Sequence, residues 1–312
     1  MTWRARLRVS LRSEPTRSWR PALAAGLLAL AALGCLYEPP RRLPSSIRLL
    51  YSRTTYDSLG TKVDIYFLVA REGNELQLTG EAGDDRQPTF ASGLRKVFFT
   101  RRLDGKDEIW SMDLDGSQEQ AVLAGPEGHR DPAVSPDETR IAYTRVTGGR
   151  EEVWIADLDG GNPRPLAATG GPWREPAWSP DGRTIAIVGR APVRLYLIPA
   201  DGGNPRALAA AEPAPHAEPA WSPDGERIAF VRGEGRAADI AIVAVATGRI
   251  ERLTDNNVAE SSPAWSPDGE RIAFVARRPN DRHNLWLIDP DGDNAESLTR
   301  YDRAEARDPD WL

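Results

Sequence analysis

The chain has 312 residues, 40 basic and 46 acidic, for a formal charge of −6; without its first 34 residues it carries 34 basic against 45 acidic, or −11. An acidic body lacks the clustered Lys and Arg with which nucleic-acid binders face phosphates. At 40% hydrophobic and 28% charged the chain is neither disordered nor a multi-span membrane protein, one Cys rules out an internal disulfide framework, and three His rule out most His-rich metal centres.

From the N-terminus, six Arg between positions 4 and 20 precede an uncharged run from Pro21 to Gly34. A basic segment followed by a short apolar one and small residues is the layout of a secretory signal, and the run falls short of the roughly 18 to 20 residues that span a bilayer. Cys35 follows directly. Ala32-Leu33-Gly34-Cys35 resembles a bacterial lipobox, although Leu stands second rather than first. The resemblance implies a lipidated Cys35, and Leu36 in place of Asp implies the outer membrane. An ordinary cleaved signal or an uncleaved anchor is the alternative. Residues 1–34 are therefore read as a leader and 35–46, rich in Pro and Arg, as a tether.

The rest of the chain, 47–312, is governed by a repeat. Pro176-Ala-Trp-Ser-Pro-Asp-Gly recurs from Pro219 and from Pro263, with weaker copies at Pro132 and Pro88, at spacings of 44, 44, 43 and 44. Each unit reads as four strands. The Pro-x-Trp segment comes first. Ser-Pro-Asp-Gly then fits a type I turn, with Pro where φ is preset and Gly at the fourth position. The second strand is Arg227–Arg232 and its counterparts Arg140–Arg145 and Arg271–Ala276. The third is Asn284–Ile288, matched by Glu152–Ala156 and Glu108–Met112. An Asp-x-Asp-Gly hairpin follows, and a short outer strand ends in Leu298-Thr299, Leu253-Thr254 or Leu166.

Four-stranded units at this period are β-propeller blades. Arg48–Arg53, Asp64–Leu68 and Glu75–Thr79 match the second, third and fourth strands with no first strand before them. Asp308–Leu312 is a first strand with nothing after it. The two fragments complete one blade, so the expected fold is all-β, a six-bladed propeller closed by pairing its N- and C-terminal strands.

The Trp-Ser-Pro-Asp-Gly, Ile-Ala-Phe, Leu-Trp, Asp-x-Asp-Gly and Leu-Thr segments together resemble the WD-like propellers of the TolB family, over essentially all of 47–312. The resemblance implies a periplasmic protein that binds partner proteins. This chain departs from the family in carrying a tether where TolB proteins carry an α/β domain.

Residue chemistry points the same way. Ser179, Ser222 and Ser266 recur at one turn position, His129, His216 and His283 at unrelated ones, so no oriented nucleophile and base emerge and no catalytic residue is assigned. Asp289-Pro-Asp-Gly-Asp-Asn294 has its Gly fourth rather than sixth, as a hairpin and not a calcium loop would; no metal or cofactor is assigned. The residue before each repeat Pro is Gln87, Asp131, Glu175, Glu218, Ser262 and Asp308 in turn. First strands are innermost, so these six are expected to gather at one channel mouth as the ligand-binding set, with His129 and His216, each three residues ahead of its Pro, as additions. The alternative is a local role for each, including pairing with Arg130, Arg174 or Arg307.

The leading expectation is a monomeric, non-enzymatic envelope protein binding a protein or peptide partner at its channel, anchored to the membrane by lipid, with no nucleic acid involved. An enzyme or sensor acting on cell-wall or oligosaccharide ligands, and a structural scaffold subunit, are the competing readings.

Overall fold

In the computed structural model, residues 47–312 are described except 59, 71–73, 81–82, 168–171, 191–192, 210–212 and 278–281. The leader, Cys35 and the tether lie outside the described residues. Six sheets of four antiparallel strands succeed one another along the chain. Blade 1 takes its innermost strand, Ala304–Trp311, from the far end of the sequence and its other three from Arg48–Asp57, Gly60–Val69 and Asn74–Gln77. Leu49 lies opposite Trp311 and Leu50 opposite Asp310, so the two ends of the propeller pair directly. The innermost strands of blades 2 to 6 are Asp84–Ala91, Gly128–Val134, Trp173–Trp178, His216–Trp221 and Glu260–Trp265. The all-β, six-bladed architecture and its closure are as the repeat arithmetic expects.

Second strands carry apolar residues on both faces because each blade is covered on both sides. Tyr143 packs toward blade 2 while its neighbour Ala142 packs toward blade 4. The buried apolar residues fall into six clusters, one per blade interface. At the closing interface Leu49, Tyr51 and Leu68 of blade 1 meet Val275, Leu285 and Leu287 of blade 6. A polar contact reinforces that joint, the Tyr51 and Tyr301 hydroxyls standing 2.7 Å apart, and within blade 1 Arg53 bonds both Glu75 and the Tyr66 hydroxyl at 2.7 Å.

The Ser-Pro-Asp-Gly turns are knotted by their own side chains. Ser179 Oγ donates to Asp181 Oδ1 at 2.6 Å and accepts from the Thr184 N–H at 3.0 Å, and the same pattern recurs at Ser135, Ser222 and Ser266. These hydroxyls are consumed by turn formation. Asp289 likewise accepts from Asn294 at 2.6 Å and pairs with Arg271 at 2.9 Å within its hairpin.

Two boundaries differ from expectation. Outer strands stop before the Leu-Thr pair, as at Glu296–Ser297 and Asn74–Gln77. The Thr hydroxyl then turns inward and accepts the third strand's free N–H: Thr79 from Ile65, Thr254 from Ile240 and Thr299 from Leu285, at 2.9 to 3.0 Å. Inner strands begin earlier than the Pro-x-Trp segment, because a bulge at the residue before Pro interrupts but does not end the ladder.

Candidate functional site

The six residues before the repeat prolines all adopt left-handed backbone, with φ between 51° and 54°. L-residues rarely take this conformation, and a following Pro disfavours all but extended backbone. Six repetitions of a locally unfavourable state call for a compensating contact. It lies between blades. At five of the six joints the bulge frees the residue's N–H from its own ladder and turns it toward the preceding blade, where a side chain accepts it; at the sixth, Ser262 and Asp308 meet through their side chains.

The links run around the channel in one rotational sense. Glu175 Oε2 accepts the Glu218 N–H at 2.7 Å, and Glu218 Oε2 accepts the Ser262 N–H at 2.5 Å. Ser262 Oγ reaches Asp308 Oδ1 at 3.5 Å, and Asp308 Oδ2 accepts the Gln87 N–H at 3.2 Å. Gln87 Oε1 accepts the Asp131 N–H at 3.3 Å while its amide nitrogen donates to the Asp131 carboxylate. The last link is relayed: the Thr144 hydroxyl bonds the Asp131 carboxylate and accepts the Glu175 N–H at 3.1 Å. Ser52 and Thr100 brace Asp308 and Gln87 from behind, at 2.8 and 2.9 Å.

All six residues line one central cavity of about 410 Å³. Every other lining residue lies after the ring position in its strand, ending with Trp178, Trp221, Trp265 and Pro136. The ring therefore forms one end of the cavity, a floor within the channel rather than a rim at its mouth. The resulting cup opens toward the face that carries the Ser-Pro-Asp-Gly turns. Its walls are mostly Pro, Ala and Trp, with Thr89, Val134 and Asp310 among them, and its floor holds the carboxyl groups of Asp131, Glu175, Glu218 and Asp308. Burial pushes the Asp131 and Glu218 carboxyls above the usual range, against the nearby guanidinium groups of Arg174 and either Arg130 or Arg307. Arg130 approaches Asp131 at 3.7 Å and Arg174 pairs with Glu175, so the local pairing also takes place, on the far side of the ring from the cup.

His129 and His216 do not line this cavity, contrary to the expectation that they join the set. Both are buried between blades. His216 packs 4.6 Å from the Phe230 ring, and its Nδ1 accepts the Leu195 N–H at 3.3 Å. In blade 4 the residue after Leu208 is Ala209, so no Thr hydroxyl is available for that N–H and His216 of the next blade takes its place. His129 lies 5.6 Å from Tyr143, and burial holds its pKa below the ordinary value. Among the described residues no group of three or more His, Cys, Asp or Glu is placed to hold a metal ion.

One lining residue escaped the sequence reading. Asp310 occupies the wall position that holds Thr89, Ala133, Ala177, Ala220 and Ala264 in the other blades. Its Oδ2 accepts the Phe90 N–H at 2.8 Å, and burial pushes its pKa up to about 6. The departure from Pro-Ala-Trp to Pro-Asp-Trp was the available signal.

No curated protein matches the chain by sequence. Among solved structures, the fold is similar to TolB from Acinetobacter baumannii, with a TM-score of 0.73 at 21% identity over 85% of this chain and 66% of that one. The chain thus spans 66% of that relative's own length. It is also similar to a putative TolB from Agrobacterium tumefaciens, with a TM-score of 0.66 at 19% identity over 86% and 99% of the two chains. An oligogalacturonate lyase in complex with manganese gives 0.57 at 18% identity over 77% of this chain and 72% of that one. At these identities the likeness is one of fold, which many functions share. Residues 188–312 match the TolB beta propeller domain family, and with the same four-stranded unit repeated around the ring the chain is a six-bladed β-propeller that is similar to that family over this stretch.

Proposed function

We propose that this propeller is a non-enzymatic, monomeric binding protein of the cell envelope that takes a basic segment of a partner protein into its cup. The observation that carries the reading is the cup itself: a central cavity with largely apolar walls over a floor of four carboxyl groups. Low-dielectric walls focus the field of such a floor, and a cationic segment gains both burial of its apolar atoms and charge complementarity. The basic leader and Cys35 support export and lipid anchoring at the outer membrane, with 35–46 as the tether. The alternative of an enzyme or sensor for cell-wall or oligosaccharide ligands draws on His129, His216 and the acidic ring; of these only the ring lines the cup, the two His being buried between blades.

The test is site-specific photocrosslinking from Thr89 and Val134, on the cup wall, in intact envelopes, with identification of the captured species. A single protein captured by the wild-type cup and lost when Ala220→Trp fills it is the expected result. Capture that ignores the filled cup would overturn the reading.

A further inference from the structure

Within the cup the six blades are not equivalent. Beyond the floor, Asp310 is the one charged residue among the lining side chains, standing on the blade 1 wall where the other blades present Ala or Thr. It accepts backbone N–H bonds from Phe90 and Trp311. The wall on blades 4 to 6, running from the blade opposite blade 1 round to its neighbour, is built differently: Trp178, Trp221 and Trp265 line it. Two of these indoles already carry a guanidinium on one face, Arg140 at 4.9 Å from the Trp178 ring and Arg227 at 4.7 Å from the Trp265 ring. A second cation arriving there meets like charge, whereas an apolar stem meets a flat aromatic surface.

We propose that Asp310 is the specificity-determining residue of the cup: it takes the ammonium or guanidinium group of one Lys or Arg side chain of the partner, while the apolar remainder of that segment lies against the Trp wall. The inference rests on the cup being the binding site. The floor carboxyl groups are committed to the N–H groups of neighbouring blades, so they supply field more than a directed bond. Asp310 has backbone donors at its rear and the cavity in front, the arrangement that orients a carboxylate toward an incoming donor. A long basic side chain also suits the cup, since its methylene stem can pack on Trp and Pro while its head is held at the wall.

The test uses the whole chain and four capped pentapeptides that differ only at the central residue, Lys, Arg, norleucine or Glu, with binding followed by the fluorescence of the cup's tryptophans. The variant is Asp310→Ala, which restores the residue that blades 3 to 6 carry and so leaves the wall as the repeat builds it; Asp310→Asn serves as a second, isosteric variant. The Lys and Arg peptides should bind the wild-type chain at least tenfold more tightly than the norleucine peptide. Both variants should lose that preference, while a control on an exposed hairpin turn outside the cup, Ser117→Ala, keeps it. A preference that survives in both variants, or wild-type protein that does not distinguish Lys from norleucine, overturns the proposal. The same variants are carried into the envelope crosslinking. A partner that Ala220→Trp excludes but Asp310→Ala still captures in full leaves the cup as the binding site and removes Asp310 as its selector; a partner indifferent to Ala220→Trp removes the cup itself.

Discussion

The indole nitrogen of Trp311 donates to the carbonyl oxygen of Ala264 at 3.0 Å, the last blade of the sequence handing its inner strand to the first. Trp221 makes the same bond to Ala177, and Trp178 to Ala133, each also at 3.0 Å. Closure therefore uses the ordinary joint between blades. Removing 309–312 deletes an inner-strand segment and this indole, and a Trp→Ala change at a packed site costs roughly 3 to 5 kcal/mol. Trp311→Phe should cost about 1 kcal/mol through the lost bond. Trp265→Phe is the control, since its indole nitrogen is buried without a hydrogen-bond partner. Urea unfolding of the three proteins checks the order, and a truncated chain as stable as wild type refutes the joint.

A second stability test separates backbone strain from collision. Gly160 sits at φ +87° in an Asp-x-Asp-Gly turn, and a Cβ there would lie 2.2 Å from the Val122 carbonyl oxygen of the preceding blade. Gly148 sits at φ +58° with nothing within 4 Å. Gly148→Ala should cost about 1 kcal/mol, the left-handed strain alone. Gly160→Ala should cost distinctly more, because a backbone atom cannot step aside. Equal losses of melting temperature would contradict the close blade contact.

Asp310 should make stability depend on pH in a definite direction. Burial raises its folded pKa to about 6, above the ordinary carboxyl value near 4. The folded state then binds the proton more tightly than the unfolded one, so this group's contribution is fully present below about pH 4 and is lost as the pH rises through 6. Asp310→Asn should therefore be more stable than wild type at pH 7, by on the order of 2 kcal/mol, and equal to it near pH 4. A difference independent of pH would place the carboxyl in water.

Neutralising Asp131, Glu175, Glu218 and Asp308 together, as Asn or Gln, keeps an oxygen acceptor for each neighbouring N–H while removing the floor's charge. The protein should fold, with capture of a basic partner weakened and less sensitive to salt, only Asp310 remaining charged in the cup; in wild type the attraction should fall more steeply with ionic strength, as fields are screened over about 8 Å at physiological salt. Undiminished capture by the quadruple variant would sink the electrostatic part of the reading. Failure to fold would assign the four side chains wholly to joining blades.

Lipidation is tested apart from the propeller. Wild-type protein should partition with membranes and Cys35→Ala with the soluble fraction, because acyl chains supply the anchoring energy. Wild type recovered in the soluble periplasm would exclude a lipid anchor at Cys35.

Much of this molecule was legible in its sequence because a strict period imposes the same local choices over and over. Arg227–Arg232 is a strand from end to end as expected, and Trp311 could be placed by its likeness to Trp178 and Trp221. The convergence of the six residues on one ring was also readable from their common position. Their left-handed backbone was not: a residue before Pro is expected to be extended, and only a neighbouring blade's side chain makes the alternative worthwhile. His216 was misread for a related reason. Its partner is the Leu195 N–H of another blade, and the vacancy it fills, a Thr missing after Leu208, shows only when the blades are set side by side. Asp310 departs from the Ala or Thr of the other five blades, so the pattern the repeats share carries no signal for it.

The head-to-tail ring bears on how such a protein can grow. At five of the six joints one half is supplied by backbone alone, the N–H that the bulge turns outward, while the other half is a side chain that this chain fills with Gln, Asp or Glu, once through a Thr relay; at the sixth, Ser262 meets Asp308 side chain to side chain. A duplicated blade inserted into the ring would bring its own socket and accept almost any short polar plug. Copies could then diverge at this position without losing their place beside a neighbour, which leaves the floor of the cup free to change its charge while the ring stays closed.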